Sequence, residues 1–411
     1  MMAPIKKKII VVGGSLGGLS AAICLRDLGF SVSVFERSSN KLFGKGAGIA
    51  LNPYMLRFLQ RYPSFEFSER SLSAEQLRYL DLSPSKDREH PAVFKLSSYN
   101  SLYISLLQIF GTENYHLSCE VTGISQTPDK VAVTTSEGRT HECDLLICAD
   151  GTESSSRILL SGRDNSRYSG YYAWRGIVKD DHLPPYLVKR CEEAVTYHLR
   201  SDGHLLSYAI PFFETDEKGE TVRSTYINWL WYRNLPSTKE LNSLLVDQSG
   251  NRKSKSVSKH KVRPQLIEAL KQDADGVPEH FRQLIKCTSA PFIQAVFDHG
   301  VDRMVYGRVC LVGDAAFSVR PHTAVGTTKA FEDAIQLYYA LKEYGNDIES
   351  ALRSWEQKQL KLGRQVLERS KEVGESLQRG CWSSDFLPPF GLYKGGDSCI
   401  WDESTESSDA V

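Results

Sequence analysis

Short apolar runs that end at glycine or at an acidic residue alternate with helical periodicity at both ends of the chain. Residues 8–12 predict a buried strand, since four apolar residues lead into a glycine-rich segment. The segment 19–25 has the small and apolar residues of a packed helix, and 31–35 predicts a second strand. Strand, glycine turn, helix and strand in this order are typical of a parallel α/β fold.

The middle of the chain has a different pattern, in which aromatic and β-branched residues predominate. We predict strands over 194–199, 204–210 and 225–232, because these residue types favour pleated sheet. Trp229 and Trp231 stand two residues apart, so both rings lie on one face of their strand. There they either stack on an aromatic ligand or fill the sheet's inner face.

The glycine-rich segment after the first strand has the spacing of a dinucleotide-binding turn, Gly13-x-Ser15-x-x-Gly18. Gly13 permits the tight turn, and Gly18 lets the following helix lie close to the sheet. Ser15 replaces the usual middle glycine and is still small enough for a pyrophosphate to approach the helix N-terminus. Glu36 ends the second strand, where an acidic residue bonds the ribose hydroxyls of a dinucleotide. The first domain is therefore predicted to be Rossmann-like.

A second candidate site lies near the far end, where the apolar run 309–312 stops and Asp314 follows within two residues. Helical spacing then predicts helices over 326–344 and 348–378. The carboxylate can accept hydroxyl hydrogen bonds, and the helix N-terminus offers unpaired N–H groups with about half a positive charge. This combination suits a polyhydroxylated cofactor whose ring becomes anionic on reduction, which indicates a flavin.

A third segment, Asp150-Gly151 with Ser154 and Arg157 after it, follows a strand predicted over 143–148. Taken alone, these residues leave two interpretations open. One is a buried strand with a solvated Asp-Gly turn, and the other is a turn that belongs to the cofactor site.

The three segments in this order resemble the single-component flavoprotein aromatic hydroxylases, the p-hydroxybenzoate hydroxylase class. That class has a middle motif ADGxxSxxR and a late motif GDAAHxxxPxxGxGxNxAxEDA, and the chain matches most positions of both. It departs from the late motif at Phe317, Ala324 and Thr328, where His, Gly and Asn are usual. Four further segments are more similar to the branch of the 2,6-dihydroxypyridine 3-hydroxylases: 97–103, 168–176, 228–234 and 320–324.

The resemblance implies a discontinuous FAD-binding domain over 1–75, 95–165 and 286–378, an inserted β-rich substrate domain over 166–285, and a C-terminal tail over 379–411. We expect the tail to be mobile, at least after Lys394, because it loses periodicity. Asp314 would accept ribityl hydroxyls, and Asp150 would either hold the pyrophosphate-side turn or lie near NADPH. The full set of predicted cofactor-binding residues is Gly13, Ser15, Leu16, Gly18, Glu36, Arg37, Gly48, Tyr99, Asp150, Asp314, Gly326 and Thr327.

The implied reaction has two halves. NADPH or NADH reduces FAD, and O2 then gives a C4a-hydroperoxyflavin that hydroxylates a small phenolic or hydroxylated N-heteroaromatic compound. Such a substrate is usually deprotonated by a base. The candidates are His322, which we prefer, with His204, Tyr208 and Tyr232, although a tyrosine in a sheet more often belongs to the core. Since the chain has one dinucleotide turn, the nicotinamide is expected to bind transiently elsewhere.

Arg175 and one basic segment each have two alternative predicted roles. Arg175 either pairs within the sheet or anchors a substrate carboxylate. The segment 250–263 contains six Lys or Arg residues and predicts a solvated loop, with a contact to an NADPH phosphate as the alternative. Decarboxylative hydroxylation of an aromatic acid is a second hypothesis for the function, and a non-enzymatic escort protein on the same fold is a third.

Composition narrows this picture further. A length of 411 residues favours two domains, and fifty basic residues balance fifty acidic ones, which indicates neither a nucleic acid nor a membrane partner. Nine cysteines without CxxC or zinc spacing indicate no metal site and, with no secretory signal, a reducing compartment. We therefore expect a cytoplasmic enzyme with a small aromatic substrate and O2 as partners, and a homodimer stays open.

Overall fold

The computed structural model describes residues 7–44, 47–63, 65–215, 221–345, 347–385, 390–392 and 400–401. The strands of this part of the chain are β1 (Lys8–Val12), β2 (Ser31–Phe35), β3 (Gly48–Ala50), β4 (Leu72–Tyr79), β5 (Arg88–Ser98), β6 (Tyr115–His116), β7 (Val121–Gln126), β8 (Val131–Thr135), β9 (Thr140–Cys143), β10 (Leu145–Cys148), β11 (Arg167–Lys179), β12 (Ala194–Arg200), β13 (Gly203–Thr215), β14 (Thr221–Asn234), β15 (Ser256–Val257), β16 (Phe292–Gly300), β17 (Val305–Tyr306), β18 (Val309–Leu311), β19 (Phe317–Ser318) and β20 (Ile400–Trp401). Its helices are α1 (Leu16–Asp27), α2 (Pro53–Gln60), α3 (Phe67–Arg70), α4 (Tyr99–Phe110), α5 (Ser155–Ser161), α6 (Pro185–Glu193), α7 (Thr238–Leu244), α8 (Pro264–Asp273), α9 (Glu279–Cys287), α10 (Gly326–Tyr344) and α11 (Ile348–Gln378).

A six-stranded sheet in the order β17-β18-β10-β1-β2-β6 forms the nucleotide-binding part of the molecule. All neighbours in it are parallel except β17 and β18. Helix α1 connects β1 to β2 and is buried along most of its length, because α4 and α10 pack against it. The predicted α/β class with a Rossmann-like domain is thereby confirmed.

The register of this sheet brings the three sequence motifs together. Val12 is aligned with Cys148, and Cys148 with Leu311. The glycine turn, the Asp150 turn and the Asp314 turn follow these three residues directly. Because the carboxyl ends of parallel strands meet at one edge, all three turns lie side by side there.

A large sheet has the order β15-β16-β11-β14-β13-β12-β4-β5-β20, with β3 beside β5 and β19 beside β16. One face packs on α6, α8 and α9 through a buried cluster that contains Trp229 and Trp231. The Trp229 indole N–H donates to the Thr288 hydroxyl at 2.7 Å. The packing role of the two tryptophans is therefore confirmed. Residues such as Ala173 and Tyr232 point the other way and line a cavity.

The large sheet crosses the predicted limits of the substrate domain. β4, β5 and β16 belong to it, although residues 72–75 of β4, residues 95–98 of β5 and all of β16 were predicted to lie in the FAD-binding domain. Strand pairing between segments distant in sequence leaves no local signal, so these limits stay a prediction. Most of the tail lies outside the described residues, and of the part expected to be mobile after Lys394 only Ile400–Trp401 are described, as a strand that pairs with β5.

Helices α10 and α11 have the predicted bounds. Along α11 the periodic apolar residues Leu352, Trp355 and Val366 are buried. No helix in the described part of the chain is both long and apolar enough to span a membrane. Among the described residues, no three His, Cys, Asp or Glu side chains form a cluster that could bind a metal ion.

Candidate active site

The turn after β1 has glycine at two positions where a side chain would collide with the backbone. Gly13 has a φ of +96°, and a Cβ atom on it would collide with the Ala149 carbonyl of the neighbouring motif. A Cβ atom on Gly18 would collide with the Gly13 carbonyl, so α1 begins directly against the turn. Ser15 is the N-cap of α1 but makes no capping bond, and its hydroxyl pairs with the Tyr99 hydroxyl at 2.8 Å. The N–H groups of the first turn thus remain available to a phosphate.

Glu36 lies against this turn from the end of β2. Its buried carboxylate accepts the N–H groups of Gly14 at 2.8 Å and Ser38 at 2.9 Å. Each oxygen keeps a second lone pair, which a ribose hydroxyl can use. Leu16 is buried and Arg37 is exposed. The contacts of these residues with a cofactor stay predictions.

Asp150 holds the start of α5. Its carboxylate accepts the Ser154 hydroxyl at 2.6 Å and the Ser156 N–H at 2.9 Å. Ser154 in turn caps the helix by accepting the Arg157 N–H at 2.9 Å. Of its two alternative roles, these contacts favour the structural one, in which Asp150 shapes the turn that lies against Gly13.

The turn after β18 brings Asp314 and the start of α10 to one cavity, which Asp314, Gly326 and Thr327 all line. Burial raises the pKa of the Asp314 carboxyl to about 6, and the charges of Lys329 and Lys255 oppose that effect only in part. A carboxylate in such a partly desolvated position is stabilised by hydrogen-bond donors from a ligand. The hydroxyl groups of a ribityl chain would provide them.

A buried ion pair on α10 fixes this turn. Lys329 Nζ lies 2.6 Å from Asp333 Oδ1, and both side chains are fully buried. The other Asp333 oxygen accepts the Gly313 N–H at 2.8 Å. The Lys329 ammonium also lies 5.4 Å from the centre of the Phe317 ring, which stands where the class usually has His. The sequence analysis assigned no role to Lys329 or Asp333.

Ala330 connects the two halves of the cofactor site. Cβ atoms placed on Gly17 and Gly313 would lie 3.2 Å and 2.9 Å from atoms of Ala330. The start of α1 and the Asp314 turn are therefore neighbours. The residues present fit FAD, with Glu36 for the adenosine ribose, the start of α1 for the phosphates and Asp314 for the ribityl chain.

A cavity of 450 Å³ lies between the large sheet and the start of α10. All four predicted catalytic residues line it. His204 and Tyr208 come from β13, Tyr232 from β14, and His322 from the 3₁₀ turn Pro321–Thr323. The structure thus brings together candidates from three separate parts of the chain in a volume typical of small-molecule sites.

His204, Tyr232 and His322 form a cluster of rings that we call the inner wall. The His204 and Tyr232 rings stack at 4.7 Å between centres, and the His322 ring lies 5.1 Å from the first and 4.8 Å from the second. Burial lowers the pKa of His204 to about 3 and that of His322 well below its ordinary value. Burial also raises the pKa of Tyr232. The inner wall is therefore uncharged near pH 7.

The partners of His204 determine where its proton lies. Its Nδ1 is 3.2 Å from Gln378 Oε1, while Gln378 Nε2 donates to Asn234 Oδ1 at 3.0 Å. Asn234 donates back to the Gln378 backbone carbonyl at 2.8 Å, which completes an amide pair. Since an amide oxygen only accepts, His204 Nδ1 carries the proton and Nε2 keeps a lone pair. This Nε2 is buried and has no hydrogen-bond partner among the described residues.

His322, the preferred base in the sequence analysis, is already engaged. Its Nε2 lies 2.8 Å from the Tyr171 hydroxyl. Burial raises the pKa of Tyr171, and the neighbouring Arg320 opposes that effect. Arg320 is itself held by Asp298 at 2.8 Å. The Tyr171 hydroxyl can donate or accept, so this contact does not fix the proton of His322, whereas Gln378 fixes that of His204 and leaves a lone pair on its Nε2. The identity of the base stays a prediction.

Tyr208 packs against strand β3. A Cβ atom on Gly48 would collide with the Tyr208 ring, so glycine leaves the space that the ring occupies. Burial raises the pKa of Tyr208 to about 12, although the charge of Arg175 opposes it. A phenol with this pKa is protonated near pH 7, so Tyr208 can donate a hydrogen bond but is a poor base.

Sequence reasoning missed the residues that hold the two histidines, namely Tyr171, Asn234 and Gln378. Gln378 is the last residue of α11, where no local motif marks it, and Asn234 ends the segment 228–234 without a feature that singles it out. Tyr171 lies within the aromatic segment that supported the resemblance, but its aromatic neighbours gave no reason to single it out. Only contacts between distant elements reveal these pairs.

Comparisons with known proteins agree with this arrangement. Family models match residues 11–58 as an NAD(P)-binding Rossmann-like domain, 47–162 as a flavin containing amine oxidoreductase, and 168–298 as FAD binding domain-like. The chain is 36% identical over 380 residues to 2,6-dihydroxypyridine 3-monooxygenase of Paenarthrobacter nicotinovorans, covering 92% of this chain and 94% of that protein. It is 28% identical to 3-amino-4-hydroxybenzoate 2-monooxygenase PtnB3 of Streptomyces platensis, with 90% and 89% covered. The solved structure of 2,6-dihydroxypyridine-3-hydroxylase from Arthrobacter nicotinovorans matches with a TM-score of 0.87 and 34% identity, covering 97% of this chain and 99% of that one.

The chain belongs to the family of FAD-dependent hydroxylases. It is a flavoprotein monooxygenase that uses FAD, NAD(P)H and O2 on small aromatic compounds, so the predicted class, cofactor and co-substrate are confirmed. The escort hypothesis was wrong. When bound, FAD supplies the redox chemistry that activates oxygen, and the side chains described above bind, orient and shield the reactants.

Proposed function

We propose that this enzyme hydroxylates a small, uncharged, hydroxylated N-heteroaromatic compound of the dihydroxypyridine kind, and that His204 accepts the proton of a ring hydroxyl. The observation that carries the proposal is the buried His204 Nε2 without a partner. A ring O–H or N–H would supply the missing donor. An unmet buried acceptor costs about 1–3 kcal/mol, which such a substrate would recover.

The uncharged inner wall supports the same substrate class. Aromatic faces and neutral hydrogen-bonding groups suit an uncharged heteroaromatic ring, whereas a carboxylate there would be poorly solvated and unpaired. The relative at 36% identity is named for a dihydroxypyridine, which agrees with this choice.

The low pKa of His204 is compatible with its role as an acceptor. Burial lowers this pKa to about 3 because the imidazolium cation is poorly solvated in the cavity. Transfer from a substrate hydroxyl creates the cation and an aromatic anion together, and their mutual attraction offsets the loss of solvation. Even a shared proton raises electron density on the ring carbon that is to be hydroxylated.

Decarboxylative hydroxylation of an aromatic acid is the second candidate, and Arg175 is the observation that favours it. Arg175 lines the cavity, and its charge acts on both Tyr208 and Tyr232. It forms no ion pair with a carboxylate in the described part of the chain. An aromatic acid would bind with its carboxylate toward Arg175.

A substrate screen separates the two candidates. 2,6-Dihydroxypyridine and 6-hydroxynicotinate are each given to the FAD-loaded enzyme with NADPH or NADH, and nucleotide oxidation and product mass are measured. An uncharged product with one added oxygen atom supports the proposal. Loss of CO2 together with one added oxygen from the acid supports the second candidate. If neither compound class stimulates nucleotide oxidation, both are rejected.

His204→Phe tests the proposed acceptor, because it keeps a stacked ring and removes the lone pair. We expect kcat to fall by about 10²–10⁴-fold with FAD content unchanged. His198→Phe is the matched control. His198 is also buried in the large sheet, where its Nδ1 bonds the Leu80 carbonyl at 2.8 Å, but it does not line the cavity. Equal losses in both variants would indicate structural damage and contradict the role of His204.

Cytoplasmic location and homodimer formation, both expected from the sequence, stay predictions. The eight cysteines in the described part of the chain are free thiols, which supports a reducing compartment. Size-exclusion chromatography with light scattering would test the homodimer.

A further inference from the structure

Two cations line the cavity where it meets the surface, and a third lies beside one of them. Arg175 and Lys255 line the cavity beside Ser256 and Gln294, which are exposed, so the cavity opens to solvent here. Lys259 follows on the same basic segment. We call Arg175, Lys255 and Lys259 the mouth cations. None of them forms an ion pair with a described carboxylate.

The hydrogen-bond partners of the mouth cations are neutral. Arg175 Nη1 donates to Gln294 Oε1 at 2.7 Å, while Arg175 Nε is buried without a described partner. Lys255 Nζ donates to the Thr152 carbonyl at 3.0 Å and to the Ser166 hydroxyl at 3.1 Å. These bonds orient Arg175 and Lys255, and none of these hydrogen-bond partners carries a negative charge.

Two of the mouth cations, Arg175 and Lys259, lie close to each other, and Lys255 lies further along β16. Arg175 and Lys259 both contact the Phe292 ring, at 5.6 Å and 5.8 Å from its centre, and Lys255 lies 5.1 Å from the centre of the Phe297 ring. Burial lowers the pKa of Lys259, and the charge of Arg175 adds to this effect. An anion bound between Arg175 and Lys259 would relieve their repulsion, and a longer polyanion would also reach Lys255.

Acidic residues near Lys255 act at longer range. Burial lowers its pKa, and the charges of Asp164, Glu153 and Asp314 oppose that effect without forming an ion pair. Glu153 instead bonds the Ser254 hydroxyl. The mouth therefore keeps its positive character, and Lys255 lies on the side of the cavity that Asp314 occupies.

We propose that the mouth cations bind the phosphate groups of the pyridine nucleotide that reduces the enzyme. This inference deepens the proposed function. It rests on that function only in requiring that a pyridine nucleotide reduces the enzyme, and it does not depend on the aromatic substrate. The single glycine turn serves FAD, so the nucleotide needs another anion site. A pyrophosphate carries two negative charges and a 2′-phosphate about 1.5–2 more, which suits three cations, whereas a substrate carboxylate carries one. Thr152 and Glu153 also line this mouth directly after the Asp150 turn, which places it beside the flavin-binding part of the cavity.

Calorimetric titration of the FAD-loaded enzyme with NADP⁺, and separately with NAD⁺, tests the proposal without turnover. Arg175→Gln, Lys255→Gln and Lys259→Gln should each weaken NADP⁺ binding by about 5- to 20-fold, as expected for loss of a charge-assisted hydrogen bond at a partly exposed site. A larger loss for NADP⁺ than for NAD⁺ would assign that cation to the 2′-phosphate, and equal losses would assign it to the pyrophosphate. Raised ionic strength should weaken NADP⁺ binding more in the wild type than in the variants.

Lys261→Gln is the matched control. Lys261 is exposed on the same segment, and its substitution removes one positive charge, as the mouth variants do. Unchanged NADP⁺ affinity in all three mouth variants would overturn the proposal, and so would equal weakening by Lys261→Gln. Weaker binding of 6-hydroxynicotinate with unchanged NADP⁺ affinity would assign the site to a substrate carboxylate instead.

Two further measurements keep the test interpretable. Arg175→Lys retains the charge and should recover most of the affinity that Arg175→Gln loses, and FAD content and Tm report folding. The titrations need no aromatic substrate, so a wrong substrate class would leave them unaffected. If the substrate screen succeeds while the mouth variants bind NADP⁺ normally, only the nucleotide site is refuted.

Discussion

Asp314 is expected to destabilise the protein without FAD and to strengthen the binding of FAD. Burial raises its pKa to about 6 from the ordinary 3.8. Because the folded-state pKa is raised, the stability that depends on this group is present below about pH 3.8 and is lost as the pH rises through about 6. The difference between the two pKa values corresponds to about 3 kcal/mol.

Asp314→Asn removes the charge with little change of shape. The free energy of unfolding of the FAD-free protein should rise at pH 8 by up to ~3 kcal/mol, and the gain should shrink toward zero near pH 4. The same substitution should weaken FAD binding. One or more hydrogen bonds to a charged group would be lost, each worth about 1.5–3 kcal/mol, so Kd should rise by about 10- to 100-fold.

Urea unfolding of the FAD-free protein at pH 8 and pH 4.5, and flavin-fluorescence titrations between pH 5 and pH 8, measure both effects. The wild-type Kd for FAD should rise about tenfold per pH unit below pH 6, as the carboxylate is protonated, whereas the Kd of the variant should stay flat. Asp302→Asn, at an exposed carboxylate, is the control and should change neither quantity. The reasoning is refuted if Asp314→Asn does not stabilise the FAD-free protein at pH 8, or if wild-type FAD affinity is independent of pH.

Three other substitutions test neighbouring parts of the site. Gln378→Glu places a carboxylate at His204 Nδ1, which should raise the pKa of His204 and move the acidic limb of the kcat–pH profile to higher pH. An unchanged profile would contradict the assigned proton position. Gly48→Ala should displace the Tyr208 ring at a cost of about 1–3 kcal/mol, measured as a lower Tm and a raised substrate KM. Wild-type values of both would show that β3 can shift to accommodate the methyl group. Trp229→Phe should lower the free energy of unfolding by about 1–2 kcal/mol, because it removes a buried hydrogen bond, and should leave the substrate KM unchanged. A raised KM with no loss of stability would contradict the packing role.

The ends of α10 and α11 could be predicted because local chemistry defines them. Gly345 ends α10 with a φ of +58°, a conformation that glycine adopts readily. Asp347 begins α11 by accepting the Ser350 N–H at 3.0 Å. The three turns of the cofactor site could be predicted for a similar reason, since each follows a short apolar strand and carries its own glycine or carboxylate.

The partners of the catalytic candidates could not be predicted. Side-chain alternation along β14 placed the two tryptophans on one face, but it does not say that the opposite face would bring Tyr232 against His204 and His322. Choosing between the two histidines required knowing that His204 bonds an amide oxygen, which only accepts, and that His322 bonds a phenol, which can donate or accept. These contacts join elements far apart in sequence, so neither spacing nor residue type encodes them locally.

The distribution of charge along the cavity argues that one space serves two ligands with different requirements. The inner wall is neutral because burial removes charge from its histidines and keeps its phenol protonated. The mouth keeps three cations without ion-pair partners among the described residues. The phosphates of an anionic nucleotide would be stabilised by these cations, whereas an uncharged aromatic ring needs no such countercharge. We therefore expect each ligand to bind at the part of the cavity that suits its charge.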